Sequence, residues 1–285
     1  MKAGRPLLAL AGWLALSGLA LADPAPRRVV SMNLCTDQMA MLMAGPGQLL
    51  SVSDLARDPE GSVLAKEAAA YVVNHGQAEE IFMMRPDLVL AGTYTSQASV
   101  AMLRRLGFRV ETFGPANSFE EIREQLRRMG RLLGREAHAE TLVEELDRRL
   151  DAAVPKKDAW RPLAALYYVQ GYTSGEGTLA SDAVAHAGLE NLGSRLGLRG
   201  MARLPLEVLV MAAPDAVVDG LQRGPTPALA DQTFTHPVLR AVLQGRELTP
   251  IPDKYWICGA PFTAEAVRLL ASATAPLRAR GPARP

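Results

Sequence analysis

The sequence predicts an α/β fold in two lobes, each a mainly parallel sheet covered by helices, with one long helix between them and a cleft where the lobes face. Three observations carry this. Residues 28–133 alternate short β-rich runs with helical patterns. The alternation restarts at residue 163, after a long amphipathic stretch. Two segments about 128 positions apart also echo each other: residues 79–90 and 207–218 both run from a glutamate through a short apolar helix to Pro-Asp and a strand. Proline ends a helix and aspartate favours the turn before a β-rich run, so ordinary α/β folding also produces such a unit. Its repetition suggests matched lobes.

Residues 1–22 read as a secretory signal peptide: Lys2 and Arg5 open it, 7–21 is apolar, and Ala20-Leu21-Ala22 fits a small-residue cleavage site. The apolar run is short, contains Gly12 and Gly18 and runs into Pro24 and Pro26, which argues against a membrane anchor. No cysteine near the cleavage point is placed for lipidation, which favours a free periplasmic protein. The first lobe spans 23–134, with strands at 28–32, 49–52, 87–91 and 108–112 and helices at 36–43, 78–84 and 97–106. Ser118 and Glu121 form a capping box, and Phe119, Ile122, Leu126, Met129 and Leu133 make the buried stripe of the helix that follows.

The connecting helix is assigned to 135–155. Its pattern over 135–153 puts Ala139, Leu142, Val143, Leu146 and Leu150 on one side, and its length of about 28 Å is enough to cross between lobes. Pro155, Lys156, Lys157 and Asp158 break it. The second lobe, 156–277, has strands at 163–169, 215–219 and 248–251 and helices at 179–187, 205–211, 236–243 and 262–272. Residues 278–285, rich in Arg, Gly, Ala and Pro, read as a loose tail.

Charge is balanced, 31 Lys and Arg against 30 Asp and Glu, which argues against the clustered basic footprint of a nucleic-acid binder. Two cysteines, Cys35 and Cys258, permit one disulfide in an oxidising compartment, and no C-x-x-C marks a zinc ribbon or redox site.

The opening Arg28-Val29-Val30-Ser31-Met32-Asn33, the paired Glu-to-Pro-Asp units, the long helix and Tyr172-Thr173-Ser174-Gly175 together resemble periplasmic binding proteins of ABC importers for vitamin B12, iron-siderophores and haem. The resemblance covers nearly the whole mature chain and rests on the order and spacing of these features. It implies two α/β lobes joined by one rigid helix, with ligand held in the cleft at the carboxyl ends of the strands, where open α/β sheets bind ligands. It further implies docking on a membrane permease through one surface glutamate per lobe. Glu79 and Glu207 match, each seven positions before its Pro, and Glu80 does not keep that spacing. Two carboxylates held a fixed distance apart suit paired arginines on a two-fold symmetric partner. The plain alternative is helix-start acids favoured by the dipole.

The same resemblance places His75, Thr93, Tyr94, Tyr172, Arg203, Tyr255 and Trp256 where ligand contacts occur, with Cys35 beside them. Tyr71, Tyr94, Tyr172, Tyr255 and Trp256 fall in loops, and aromatic loops suit a large planar or hydrophobic chelate. Asn74-His75-Gly76 stands where some B12-binding relatives carry tryptophan, so His75 is a possible axial ligand for iron or cobalt, although a lone loop histidine is more often only hydrogen-bonded. No metal is held directly by the protein. Arg57, Arg203, Arg223 and Lys254 would meet an anionic siderophore. Cys35 and Cys258 should sit near the cleft mouth on opposite lobes, as a clamp, as thiols touching the metal centre, or as two unpaired small residues.

The expectation is therefore a non-enzymatic, monomeric periplasmic component that captures an iron or cobalt chelate, has no cofactor of its own and delivers the chelate to the inner-membrane permease. The alternatives are a haem carrier of the same fold, a sensor without transport, and a secreted enzyme. Gly175-Glu176-Gly177-Thr178-Leu179-Ala180 fits a dinucleotide fingerprint, but no acidic residue follows about 20 positions on. Ser181, Asp182 and His186 lie close together but on one predicted helix, without the strand-to-helix elbow of a hydrolase. A metal enzyme built from Cys35, Asp37, His75 and Cys258 has no supporting spacing.

Overall fold

The structure, a computed structural model, describes residues 24–153, 160–219 and 247–281. The signal peptide, the helix expected at 236–243, Arg223 and the last four residues lie outside these. The first sheet contains β1 (Val29–Ser31), β2 (Leu49–Ser53), β3 (Val72–Asn74), β4 (Leu88–Gly92) and β5 (Val110–Phe113). Its order is β3-β2-β1-β4-β5, parallel throughout. Helices α1 (Leu34–Met43), α2 (Ala78–Met84) and α3 (Gln97–Arg105) supply three of the crossovers that parallel pairing requires, and α4 (Phe119–Leu133) follows the last strand. Every residue of β4 is buried, which is why its sequence is an unbroken apolar run ending in glycine.

Ser118 caps α4 by accepting from the Glu121 N–H at 3.1 Å. The returning half of the box falls one residue early, with the Glu121 carboxylate accepting from Asn117 N–H at 2.8 Å. Gly134, with φ of 65°, ends α4, and α5 (Glu136–Ala153) folds back along it. A Cβ on Gly130 would stand 2.5 Å from that of Ala139, so glycine permits the two helices to touch. Arg127 with Glu140 and Arg123 with Asp147 lace their exposed sides.

After α5 come β6 (Leu163–Tyr167), β7 (Tyr172–Ser174), α6 (Leu179–His186), β8 (Glu190–Asn191), α7 (Leu192–Arg195), β9 (Met201–Arg203), α8 (Leu206–Ala212), β10 (Ala216–Asp219), β11 (Glu247–Pro250), α9 (Ala264–Ala273) and α10 (Ala275–Arg280). The second sheet runs β11-β10-β6-β8, again parallel, and β7 pairs antiparallel with β9. The fold is thus α/β and bilobal, with helices flanking parallel sheets. One hydrophobic core runs through both lobes: Val29, Leu88 and Leu90 of the first sheet, Leu126, Leu142 and Leu146 of α4 and α5, and Leu166, Val267 and Leu270 of the second lobe belong to one buried cluster.

The echoing segments fold alike in detail. Both α2 and α8 are seven residues long and end on a left-handed residue, Arg85 (φ 48°) and Ala213 (φ 46°), where the following Pro forbids a further turn. Asp87 then accepts from Arg27 N–H (2.7 Å) and Arg28 N–H (3.0 Å), just before β1. Asp215 accepts from Leu163 N–H (2.8 Å), at the start of β6. Each Pro-Asp therefore clips the entry of its sheet's central strand.

The loose tail expected at 278–285 is corrected over residues 278–280. Helix α10 runs to Arg280, and Arg278 donates to the carbonyls of Ala187 (3.2 Å) and Ala271 and to the Thr274 hydroxyl (2.9 Å). Composition hid this because one guanidinium, with several donors, satisfies helix-end carbonyls from two elements.

Candidate functional site

In the first sheet the strand order reverses between β1 and β4, and a crevice for ligand lies at the carboxyl ends of such strands. The chain leaving β1 is held by Asn33, whose side chain accepts from Cys35 N–H at 3.1 Å and packs so closely on Gly92 that a Cβ there would stand 2.7 Å away. Leaving β4, Thr93 donates its N–H to Phe113 at 2.9 Å, and Tyr94 is 88% exposed. Leaving β3, His75 is exposed and bound by Glu80, through its N–H (2.7 Å) and through Nδ1 (2.9 Å). The hydrogen bond and charge of Glu80 raise the His75 pKa, and the pairing leaves Nε2 as the ring nitrogen for any further ligand.

On the second lobe, β6 leads into Tyr168 and then Tyr172, which lies opposite Arg203 across β7 and β9. The Arg203 guanidinium sits 5.3 Å from the centre of the half-buried Tyr172 ring. Arg203 also borders a pocket of about 470 Å³ with Tyr167, Gln170, Gly171 and Leu204. Beyond β11, Tyr255 packs half-buried against the shared core, with Lys254 Nζ 5.9 Å from its ring centre. Lys254 reaches across to the Pro59 carbonyl at 3.3 Å, and Arg57 donates to the Tyr71 carbonyl at 2.9 Å.

The carboxyl ends of the two sheets are bolted together. Cys35, just after β1, and Cys258, beyond β11, form a disulfide with Cα atoms 5.0 Å apart. This corrects Cys35 as a ligand-contacting thiol, because its sulfur is committed to the cross-link. Trp256 also departs from expectation: it is 8% exposed, lies in the shared core, and points its indole N–H at Asp253 (3.4 Å). The helical turn at Asp253–Tyr255 rotates the indole inward. His75, Thr93 and Tyr94 thus follow the carboxyl ends of β3 and β4 in the first lobe, Tyr172 and Arg203 form a stacked pair on the second, and Trp256 is buried in the core.

Sequence reasoning missed the buried polar clamp beneath the first crevice. Asn74 donates to the Ser31 carbonyl and the Ser51 hydroxyl, both at 2.8 Å, and accepts from Gly76 N–H at 3.1 Å, so it ties the end of β3 to β1 and β2. Asn191 makes the matching clamp in the second lobe, donating to the Ser174 carbonyl at 2.8 Å. Asp37, fully buried, accepts from the Ser53 hydroxyl, while its Oδ1 has no partner among the described residues. Burial pushes the Asp37 pKa up to about 6. The protonated acid is then favoured in the folded chain, a contribution complete below about pH 3.8 and lost as pH rises through about 6. Asp37→Asn, neutral at every pH, is expected to be more stable than the parent by on the order of 1–2 kcal/mol at pH 8. The advantage should shrink as pH falls through about 6 and vanish only below about pH 3.8, as checked by urea melts across that range.

Of Ser181, Asp182 and His186, the last two form an inter-lobe latch. Asp182 accepts from Phe119 N–H at 2.8 Å, His186 bonds the Asp182 carbonyl at 2.9 Å, and its ring stands 4.7 Å from that of Phe119. Ser181 instead meets the Ser194 hydroxyl at 3.0 Å. Burial opposes ionisation of Asp182, yet His186 and the Phe119 N–H outweigh it and hold the carboxyl below its usual range. The hydrogen bond that His186 donates to the Asp182 carboxylate raises the His186 pKa. The dinucleotide fingerprint dissolves similarly: Gly175 and Glu176 pair with the backbone of Leu198 and Gly200.

Two parallel sheets flanked by helices, a common core and a pocket at the carboxyl end of β6 define a bilobal α/β protein of the kind that binds ligands at strand ends. Comparison with known proteins makes the class specific. The chain belongs to the periplasmic binding protein family, whose model matches residues 29–243, and it is therefore a solute binder and not an enzyme. No curated protein matches in sequence. Among solved structures, a possible iron-binding (periplasmic solute-binding) protein from Staphylococcus epidermidis is 17% identical with a TM-score of 0.73, covering 88% of this chain and 99% of that one. A periplasmic haem-binding protein from Pseudomonas aeruginosa is 23% identical with a TM-score of 0.67, over 88% and 93%. The periplasmic vitamin B12 binding protein of Vibrio cholerae is 18% identical with a TM-score of 0.64, over 87% and 96%. These likenesses show the fold.

Proposed function

We propose that the chain is the periplasmic, monomeric substrate-binding component of an ABC importer, released by its signal peptide, which captures an iron-siderophore or a corrinoid and hands it to the inner-membrane permease. The observation that carries the reading is the doubled docking unit. Glu79 and Glu207 are both exposed in the first turn of seven-residue helices with matching ends, while the neighbouring Glu80 is engaged by His75. Carboxylates on two lobes held by one core present a fixed spacing to paired cations of a symmetric partner.

The ligand would rest against His75, Thr93 and Tyr94 on the first lobe and Tyr172, Arg203 and Tyr255 on the second. Exposed Tyr94 and the available Nε2 of His75 also favour a second reading, haem, whose iron accepts such axial donors.

The test is calorimetric titration with ferric hydroxamate, cyanocobalamin and haemin, paired with uptake by cells carrying Glu79→Arg/Glu207→Arg. One chelate class should bind with micromolar affinity or better, and the double reversal should keep that binding and lose uptake at least 100-fold. Binding of none of the three overturns the chelate reading. Loss of binding together with uptake overturns the docking role, and unimpaired uptake by a variant that binds normally leaves a sensor.

A further inference from the structure

The docking unit repeats more than its acid. One turn after Glu79 stands Met83, 77% exposed, and one turn after Glu207 stands Met211, 86% exposed. Residues four apart share a helix face, so each lobe shows a carboxylate and a bare methionine side by side. Nothing in the internal packing requires this. Ile81 and Leu209 are the fully buried residues that anchor α2 and α8 to their lobes. On the first lobe the methionine continues into an apolar groove of about 370 Å³ bordered by Glu79, Phe82, Met102 and Leu106. Phe82, Met102 and Leu106 are each 45–47% exposed.

We infer that Met83 and Met211 are a matched pair of apolar docking contacts, each seated in a hollow beside the cation that receives the neighbouring glutamate on a two-fold symmetric permease. The inference rests on the docking role proposed for Glu79 and Glu207. Three observations fix the occupant as that partner. The patch occurs twice, at the same position of two equivalent helices, so it calls for a surface presented twice. Each copy joins negative charge to bare apolar surface, which fits a cation flanked by an apolar hollow. Methionine is flexible and polarisable, suited to a contact that must form and release in each transport cycle.

The test is binding of ligand-loaded protein to the importer's permease–ATPase complex in nanodiscs. Met83→Ser/Met211→Ser should weaken association at least tenfold, with thermal stability and chelate affinity unchanged, and Met83→Leu/Met211→Leu should restore it. Unchanged association of the serine variant, alongside loss in the Glu79→Arg/Glu207→Arg variant, overturns the inference and leaves the docking acids standing. Failure of the unaltered chain to bind the nanodiscs overturns both. A dimer of the unaltered chain in sedimentation that the serine variant abolishes would make a second copy the occupant and also overturn it.

Discussion

Replacing Cys35 and Cys258 by serine lowers the stability of the folded chain by about 3–5 kcal/mol. The cross-link joins residues 223 positions apart, so in the unfolded chain it closes a very long loop. Chain-entropy accounting puts that restriction near 5 kcal/mol, and residual structure in the unfolded ensemble lowers the measured figure. The native state loses little direct contact when the sulfurs separate, because the core and the Asp182–Phe119 bond still join the lobes. The loss should therefore appear as a lower denaturation midpoint with native secondary structure intact. Guanidinium melts of the parent with and without reductant, set beside the double serine variant, check it. Coincident midpoints for oxidised and reduced protein would refute it.

Gly175→Ala is expected to cost about 3 kcal/mol or more. An added Cβ would stand 2.1 Å from the Leu198 carbonyl oxygen, 2.5 Å from its carbon and 3.0 Å from Arg199 N. All three are backbone atoms, so no side-chain rotation can relieve the contact. The strands must part, and three backbone bonds stretch: Gly175 to Gly200 (2.8 Å), Glu176 to Leu198 (2.9 Å) and Gly200 back to Glu176 (2.9 Å). Each contributes about 1 kcal/mol. Gly177 is the internal comparison: its φ is 75° but nothing stands within 4 Å of an added Cβ, so Gly177→Ala should cost only about 1 kcal/mol of backbone strain. Thermal melts of the two variants should differ by several degrees, and equal melts would sink the argument. The disturbance reaches Tyr172 and Arg203, because the displaced segment continues directly into β7 and β9.

Long, strongly patterned elements were legible in the sequence. The reading of 135–153 as a helix misses the observed α5 by one residue, and 78–84 matches α2. The strands it overlooked, β3, β7, β8 and β9, have two or three residues each, too few for alternation to register. Their existence depends on neighbours far along the chain, such as Tyr172 opposite Arg203.

The same limit applied at the site. Tyr94 kept the exposed position its loop suggested, because the chain leaving β4 has no neighbour covering it. Trp256, adjacent to Tyr255 in sequence, turned inward because a short helical turn, invisible to periodicity, sets its direction. The pairing of Cys35 with Cys258 was one of several open readings, since nothing local connects two positions so far apart. Asn74 and Asn191 carried no signal as clamps, because their partners are backbone carbonyls and small hydroxyls brought up by the fold.

The continuous core gives the word lobe a restricted meaning here. Borders drawn at residues 134 and 155 mark where the chain changes sheets, but Leu142, Leu146 and Leu150 of the helix between them are packed into the cluster that also holds Leu88 and Val267. A cut at either border would strip apolar side chains of their neighbours on both sides. The two halves are therefore not interchangeable modules: grafting one onto the other half of a relative would require recutting the faces of α4, α5 and α9 together.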